Sequence, residues 1–265
     1  MRGGKLNVTR VRLPGAFDLR IALVADLHGR DPAGVLRALE AERPDAIVAA
    51  GDIFETPRPE NAPPEDEDWG LLHRLIHRVD TVFYRGRARR GSRENAMRLF
   101  AAAADIAPTF YTPGNHDQWL TREDRAQIMK TGAILLENAA VSIRVRGNPV
   151  AFGGIVTRRG AGWARKFSRI PGARVLICHR PELYEPHLRE LALPLILSGH
   201  THGGQWRLFG RGVFAPGQGL FPKYTKGVYD GRLVISAGLA NTANVPRINN
   251  PLELVMVELR KEKTA

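Results

Sequence analysis

Cysteine is nearly absent: Cys178 stands alone among 265 residues. No internal disulfide can form, which excludes a disulfide-stapled scaffold and fits a reducing compartment. Long hydrophobic runs are missing too, the longest falling far short of the ~18 apolar residues of a membrane span. Met1-Arg2-Gly3-Gly4-Lys5 leads into no hydrophobic stretch, so no secretory signal is expected and a cytoplasmic location is. Neither an internal repeat nor a clear boundary divides the chain. One domain over residues 1–265 is expected, with an inserted segment at about 57–91. The sequence shows no basic strip studded with aromatics and no separate DNA-capping domain, so nucleic acid is not expected as a partner.

What the chain has in excess is positive charge, 39 Lys and Arg against 27 Asp and Glu for a net +12. A basic surface attracts phosphate in nucleotides, nucleic acid or anionic lipid. Otherwise the 43% hydrophobic and 25% charged content is that of an ordinary globular protein, long enough to bury a sizeable core.

Short apolar runs alternate with helical stretches. Residues 5–13 read as a first strand and 19–25 as a second, ending at Asp26-Leu27-His28. Asp31 caps a helix with Pro32 at its first position, and Pro44 marks its end. Residues 46–50 form a buried strand ending at Gly51-Asp52. Ser92 caps a further helix, and 109–112 is a short strand before Pro113-Gly114-Asn115-His116-Asp117. Thr121 and Asp124 have the spacing of a capping box, with Gly132 closing that helix. Residues 140–146 and 149–156 suggest a hairpin around Gly147-Asn148. The strand 174–178 runs into His179-Arg180-Pro181, a helix follows to about Ala192, and the strand 193–197 opens into Ser198-Gly199-His200-Thr201-His202-Gly203-Gly204-Gln205. Asp230-Gly231 marks another hairpin, and 252–259 is a last strand. Such alternation argues for an α/β fold, in which ligands bind at the C-terminal edge of the strands.

The polar residues stranded at those edges are Asp26, His28, Asp52, Asn115, His116, His179, His200 and His202. Any one of them reads as structural; eight at successive strand ends point to a metal site. Mixed carboxylate, imidazole and amide donors suit Mn, Fe, Zn or Ni better than Ca. Arg180, directly after His179, is placed to contact a phosphate or, more plainly, to be a surface arginine beside a proline. Cys178 reads as core packing and not as a nucleophile.

Asp26-x-His28, Gly51-Asp52, Gly114-Asn115-His116-Asp117, His179 and Gly199-His200-Thr201-His202 resemble, in order, the five signature blocks of the calcineurin-like metallophosphoesterases. His179-Arg180-Pro181 and Gly199 to Gln205 are similar to a bacterial phosphodiesterase branch. The resemblance implies a four-layer α-β-β-α sandwich, a binuclear metal centre and phosphodiester hydrolysis through a bridging water, with manganese the expected metal and Fe, Zn or Ni as alternatives. By motif position Asp26, His28 and His202 would hold one ion, Asn115, His179 and His200 the other, and Asp52 would bridge. His116 would face the substrate as a catalytic group. Glu55 stands where many relatives place an Asp that orients this histidine. Alternatives within the fold are a pyrophosphatase cleaving a UDP-diacylglucosamine-type lipid precursor, a nuclease, and a non-catalytic metal-binding scaffold.

Asp52 and Asn115 lie 115 − 52 = 63 positions apart, longer than one loop, one helix and one strand require. Within the excess, Trp69, Leu72, Leu75, Ile76, Val79, Val82 and Phe83 fall at helical spacing, and an arginine run follows. The segment 57–91 is expected to be either an extra helix packed on the core or an amphipathic element beside the metal site. In the second case it would favour a lipid-linked phosphoester and touch the inner face of an anionic membrane peripherally.

Overall fold

The computed structural model describes residues 6–56, 91–156, 160–241 and 246–261. The expectations for the insertion at 57–91 lie outside the described residues, Gly91 apart. In chain order the first half contains β1 (Leu6–Gly15), β2 (Leu19–Val24), α1 (Ala33–Glu42), β3 (Ala46–Ala50), α2 (Ser92–Ile106), β4 (Thr109–Thr112), α3 (Arg122–Lys130) and β5 (Ile134–Leu135). The second contains β6 (Ala139–Val145), β7 (Asn148–Ile155), α4 (Ala161–Phe167), β8 (Ala173–Cys178), β9 (Leu195–Ser198), four two-residue strands β10 to β13 between Arg207 and Leu220, β14 (Gly227–Tyr229), β15 (Leu233–Ile235) and β16 (Leu252–Lys261).

These strands form two six-stranded sheets, ordered β1-β16-β2-β3-β4-β5 and β14-β15-β9-β8-β7-β6. Because successive side chains on a strand point to opposite faces, each central strand supplies two cores. Ile21, Leu23, Val48 and Phe110 meet Val150, Phe152, Val175, Ile177 and Leu197 between the sheets. There the rings of Phe110 and Phe152 stack with centroids 3.8 Å apart. The alternate residues Ala22, Val24, Ile47 and Ala49 pack outward against Leu39, Leu99, Phe100 and Ile128 of α1, α2 and α3. On the far side Leu176, Ile196 and Ile235 pack against Phe167, Tyr184 and Leu188. The result is a four-layer α-β-β-α sandwich. β2, β3, β4 and β5 run parallel in one sheet, and β7, β8, β9 and β15 in the other, so their C-terminal ends collect at common edges.

Three local expectations need correction. Ser92 does not cap α2 but is its first residue, preceded by Gly91 at φ 78°, and it is buried against Gly29. The hairpin turn between β6 and β7 is Arg146-Gly147, at φ 50° and 82°, one residue earlier than Gly147-Asn148. After Arg180 no α-helix runs to Ala192; a 3-10 turn at Pro181–Leu183 gives way to a π turn at Tyr184–Leu188. Pro181 and Pro186 remove backbone donors there, and loosened hydrogen-bond registers accommodate them.

The capping box of α3 is present: the Thr121 hydroxyl accepts from the Asp124 amide, and the Asp124 carboxylate accepts from the Thr121 amide at 2.8 Å. Thr121→Ala is expected to lower the unfolding free energy by about 1 kcal/mol, with Thr121→Ser close to wild type. Urea unfolding of the two variants checks this.

Candidate metal centre

Asp26 and His28 follow β2, Asp52 follows β3, Asn115 and His116 follow β4, His179 follows β8, and His200 and His202 follow β9. The backbone turns sharply at these points. Asp26, His28, Asp52, His200 and His202 take φ of 55°, 49°, 53°, 72° and 47°, a region costing of order 1–3 kcal/mol per non-glycine residue unless the surroundings hold it. Here the loops hold one another: the amides of Asp26 and His28 donate to the carbonyls of Gly51 and Asp52 at 3.1 and 2.9 Å, and that of Gly199 to His179 at 3.1 Å. The motif glycines have a steric cause. A Cβ on Gly114 would lie 2.2 Å from Asp52 Oδ1, and one on Gly51, at φ 83°, 2.4 Å from His179 Nδ1.

The folding of these loops gathers the side chains into linked groups. Asp26, His28 and His202 offer donor atoms within 4.8 Å of one another, and so do Asp52, His179 and His200. His28, Asp52 and His116 form a third such set joining the two. Asp52 Oδ2 lies 3.1 Å from His179 Nε2 and 3.8 Å from His28 Nε2.

Proton positions test whether these residues fit a cation. The His179 ring places Nδ1 2.7 Å from the Ala50 carbonyl, so Nδ1 carries the donated proton. His28 Nδ1 lies 2.8 Å from Glu55 Oε2. Both Nε2 atoms therefore present lone pairs toward a carboxylate when the rings are neutral. His28 Nε2, His179 Nε2, Asp52 Oδ2 and Asn115 Oδ1 are buried and have no hydrogen-bond partner among the described residues. Buried polar atoms left in that state are costly, and cations bound among them would supply the missing partners. A hydrogen bond from the far ring nitrogen fixes the tautomer of a metal-ligating histidine. Without an ion, burial disfavours the charged His179 ring, but the Asp52 carboxylate overrides it and raises the pKa to about 9.

Glu55 joins the ligand cluster to His116, with Oε1 2.7 Å from His116 Nδ1. Burial pushes the Glu55 carboxyl upward; its hydrogen bonds with His116 and His28 prevail and hold it at about 2. Conversely, burial opposes charge on His116, but Asp52 and Glu55 raise its pKa to about 10. His116 keeps 26% of its side chain exposed against 1% for His28, so of the two it is His116 that a substrate can reach. The positive charge of Arg180 acts at His200, where burial, His179 and Arg180 together hold the ring pKa far down. Cys178 is buried in the third core and donates to the Arg180 carbonyl at 3.3 Å; burial pushes its thiol up, which disables it as a nucleophile.

Several residues around the site escaped sequence reading. Asp117, quoted only as part of its motif, accepts from the amides of Phe54 and Gly114 at 2.8 and 3.0 Å and so ties the Asp52 loop to the Asn115 loop. Glu182 Oε1 sits 3.5 Å from His200 Nε2. Arg247 Nη2 lies 3.2 Å from His202 Nδ1, and Asn250 donates to the His202 carbonyl at 2.6 Å. The Glu55 contact with His28 was also unforeseen. Arg247 and Asn250 reach the site from a distant part of the chain, whereas Asp117 and Glu182 stand beside ligand residues without a pattern that marks their contacts.

Residues 19–204 match the calcineurin-like phosphoesterase family model, well over half the chain. The chain belongs to the calcineurin-like phosphoesterase family. It is thus a hydrolase of phosphoesters from a metal-dependent family, and the clustered Asp and His side chains are groups able to hold metal. Among curated proteins it is similar to the uncharacterized protein YpbG of Bacillus subtilis (strain 168), 24% identical over 77% of this chain and 68% of that one. It is 31% identical to the phosphodiesterase YaeI of Escherichia coli (strain K12) over 42% of each chain, so the match spans less than half of that relative. Among solved structures it resembles the calcineurin-like phosphoesterase YfkN of Bacillus subtilis, at a TM-score of 0.45 and 14% identity over 84% of this chain and 82% of that one. Among the described residues no helix is long and apolar enough to cross a membrane.

Proposed function

We propose that this family member is a phosphodiesterase working with two divalent cations, manganese foremost and Fe, Zn or Ni as alternatives. One observation carries the reading: Asp52 Oδ2 stands between His28 Nε2 and His179 Nε2, so a single carboxylate serves both ligand groups. Asp26, His28 and His202 would hold one ion, Asn115, His179 and His200 the other, and Asp52 both. Bound there, the ions would acidify a water nucleophile and neutralise the phosphoryl oxygens. The chain's own residues do the rest. Glu55 keeps the Nδ1–H of His116 engaged, which turns Nε2 outward as a proton donor for the leaving oxygen. Arg180 adds positive charge beside His200, where a non-bridging phosphoryl oxygen needs it. The phosphodiesterase name of one relative supports the choice of a diester over a monoester.

Protein stripped with a chelator and reloaded with manganese is expected to hydrolyse bis(p-nitrophenyl) phosphate several-fold faster than p-nitrophenyl phosphate. Activity should vanish on chelation and return with the metal. A wide preference for the monoester would move the assignment to a phosphomonoesterase.

A further inference from the structure

A small sheet follows the ligand loop directly. Leu208 pairs with Arg211 around the two-residue turn Phe209-Gly210. Val213 donates to the Trp206 carbonyl at 2.8 Å and accepts from the Phe221 amide at 2.8 Å, while Trp206 bridges to Ile248. The hairpins β10-β11 and β12-β13 thus meet at Val213, which bonds to Trp206 on one side and to Phe221 on the other. The sheet is clamped to the metal loop. The Val213 amide donates to the Gly204 carbonyl at 3.1 Å, and Arg207 Nη1 to the Gly203 carbonyl at 2.9 Å.

This sheet carries apolar side chains where a water-facing surface would not. Phe209 is 106% exposed, Phe221 77%, Leu220 70%, Leu208 54% and Ile248 47%; beyond them the described residues hold only Met129 and Val228 as exposed large hydrophobics. The pair Leu208-Phe209 belongs to the first hairpin and Leu220-Phe221 to the end of the second. Phe209 and Phe221 moreover take φ of 49° and 50°, a conformation that a bulky aromatic disfavours. At Phe209-Gly210 both turn residues have positive φ, the geometry in which Asn-Gly is the preferred pair. A bare ring in a conformation that costs energy gains nothing from the other described residues.

The charge around the rings says which partner. From Trp206 to Tyr229 the sequence holds Arg207, Arg211, Lys223 and Lys226 and no Asp or Glu; Lys223 pairs with Glu185 at 2.8 Å and Lys226 with Glu253 at 2.7 Å, which leaves the two arginines as the charge nearest the rings. Arg207 donates to carbonyls and to the Thr225 hydroxyl, and Arg211 is exposed. Exposed rings and leucines beside the exposed guanidinium of Arg211 match the interfacial zone of a bilayer, where apolar groups enter the acyl boundary and basic groups meet phosphate.

We propose that the sheet 206–221 with Ile248 is a docking surface for an anionic phospholipid bilayer, holding the metal centre at the membrane face. This places membrane contact on other residues than the insertion at 57–91 and is independent of the phosphodiester reading. The test is co-sedimentation of the full chain with vesicles of phosphatidylcholine alone and of phosphatidylcholine with phosphatidylglycerol. Wild type should bind the anionic vesicles, weakly at high salt, and the neutral ones far less. Phe209→Asn combined with Phe221→Asn, which suits both positive-φ positions, should lower partitioning by about a hundredfold, about tenfold per ring. Turnover of bis(p-nitrophenyl) phosphate in solution should stay unchanged, which shows that the variant is folded; inactive wild type would sink the phosphodiester reading and leave the vesicle result standing. Equal binding by wild type and variant overturns the proposal, as does absence of binding. A concentration-dependent dimer of wild type that the variant abolishes, without vesicle binding, overturns it in favour of a contact between copies.

Discussion

Asp52→Asn is expected to give a folded protein with phosphodiester turnover at background and little bound metal. Asp52 has two distinct oxygens. Oδ1 accepts the His116 amide at 2.8 Å, a structural bond that an asparagine oxygen can keep. Oδ2 faces His28 Nε2 and His179 Nε2, and in the variant an amide NH2 takes that place. The amide would donate to imidazole lone pairs that otherwise call for a cation, so the site becomes satisfied without one. It also removes the charge that both ligand groups share. Metal analysis after loading with manganese, a diester assay and a thermal melt together read the effect. Near-normal metal content with near-normal turnover would sink the bridging role. A variant that melts far below wild type would instead mean that the Asp52 charge at Oδ2 is needed by the fold itself, and Asp52→Glu would then show whether carboxylate charge restores metal.

Much of this site was legible in the chain because its ligands sit at the ends of short, wholly buried strands. Residues 46–50 are apolar throughout and buried throughout, so the first polar residue after Gly51 had to lie at a sheet edge. The same reading located Asp26, His179 and His200. The two-sheet sandwich was less legible. Apolar runs reveal that strands are buried on both faces, but pairing β1 with β16, whose partners stand 252 − 6 = 246 positions apart, leaves no local trace. Helical pattern misled after Arg180, where Tyr184, Leu188 and Leu191 keep a helix-like spacing although Pro186 denies an α-helical register. The sheet 206–221 had no periodicity to read, because its strands are two residues long and its large side chains face outward. Glu55 was placed by motif spacing alone. Its second contact, to His28, depends on a side chain longer by one methylene than aspartate.

That extra reach makes Glu55 the other position with a large expected effect. Its two oxygens take His28 Nδ1 at 2.8 Å and His116 Nδ1 at 2.7 Å, one ring a proposed ligand and the other the proposed acid. Losing an outer-shell partner of a ligating histidine costs about 10–100-fold in metal affinity or activity, and losing a general acid costs about 10²–10⁴-fold. Glu55→Gln is therefore expected to impair both functions, whereas His116→Ala should impair only the second. The leaving group separates them. p-Nitrophenolate is a stable anion that departs without a proton, while an alkoxide needs one. His116→Ala should keep wild-type metal content, lose about 10²-fold or more on an alkyl phosphodiester and much less on bis(p-nitrophenyl) phosphate. Glu55→Gln should show the same leaving-group bias together with weaker metal binding. In the double variant the leaving-group bias should be no larger than in His116→Ala, because Glu55 acts on that step only through His116, while the metal deficit of Glu55→Gln should persist undiminished. Additive losses on the alkyl substrate at saturating manganese would mean that Glu55 serves the reaction by a route other than His116, and His116→Ala with full alkyl-diester turnover would remove the histidine from the chemistry altogether.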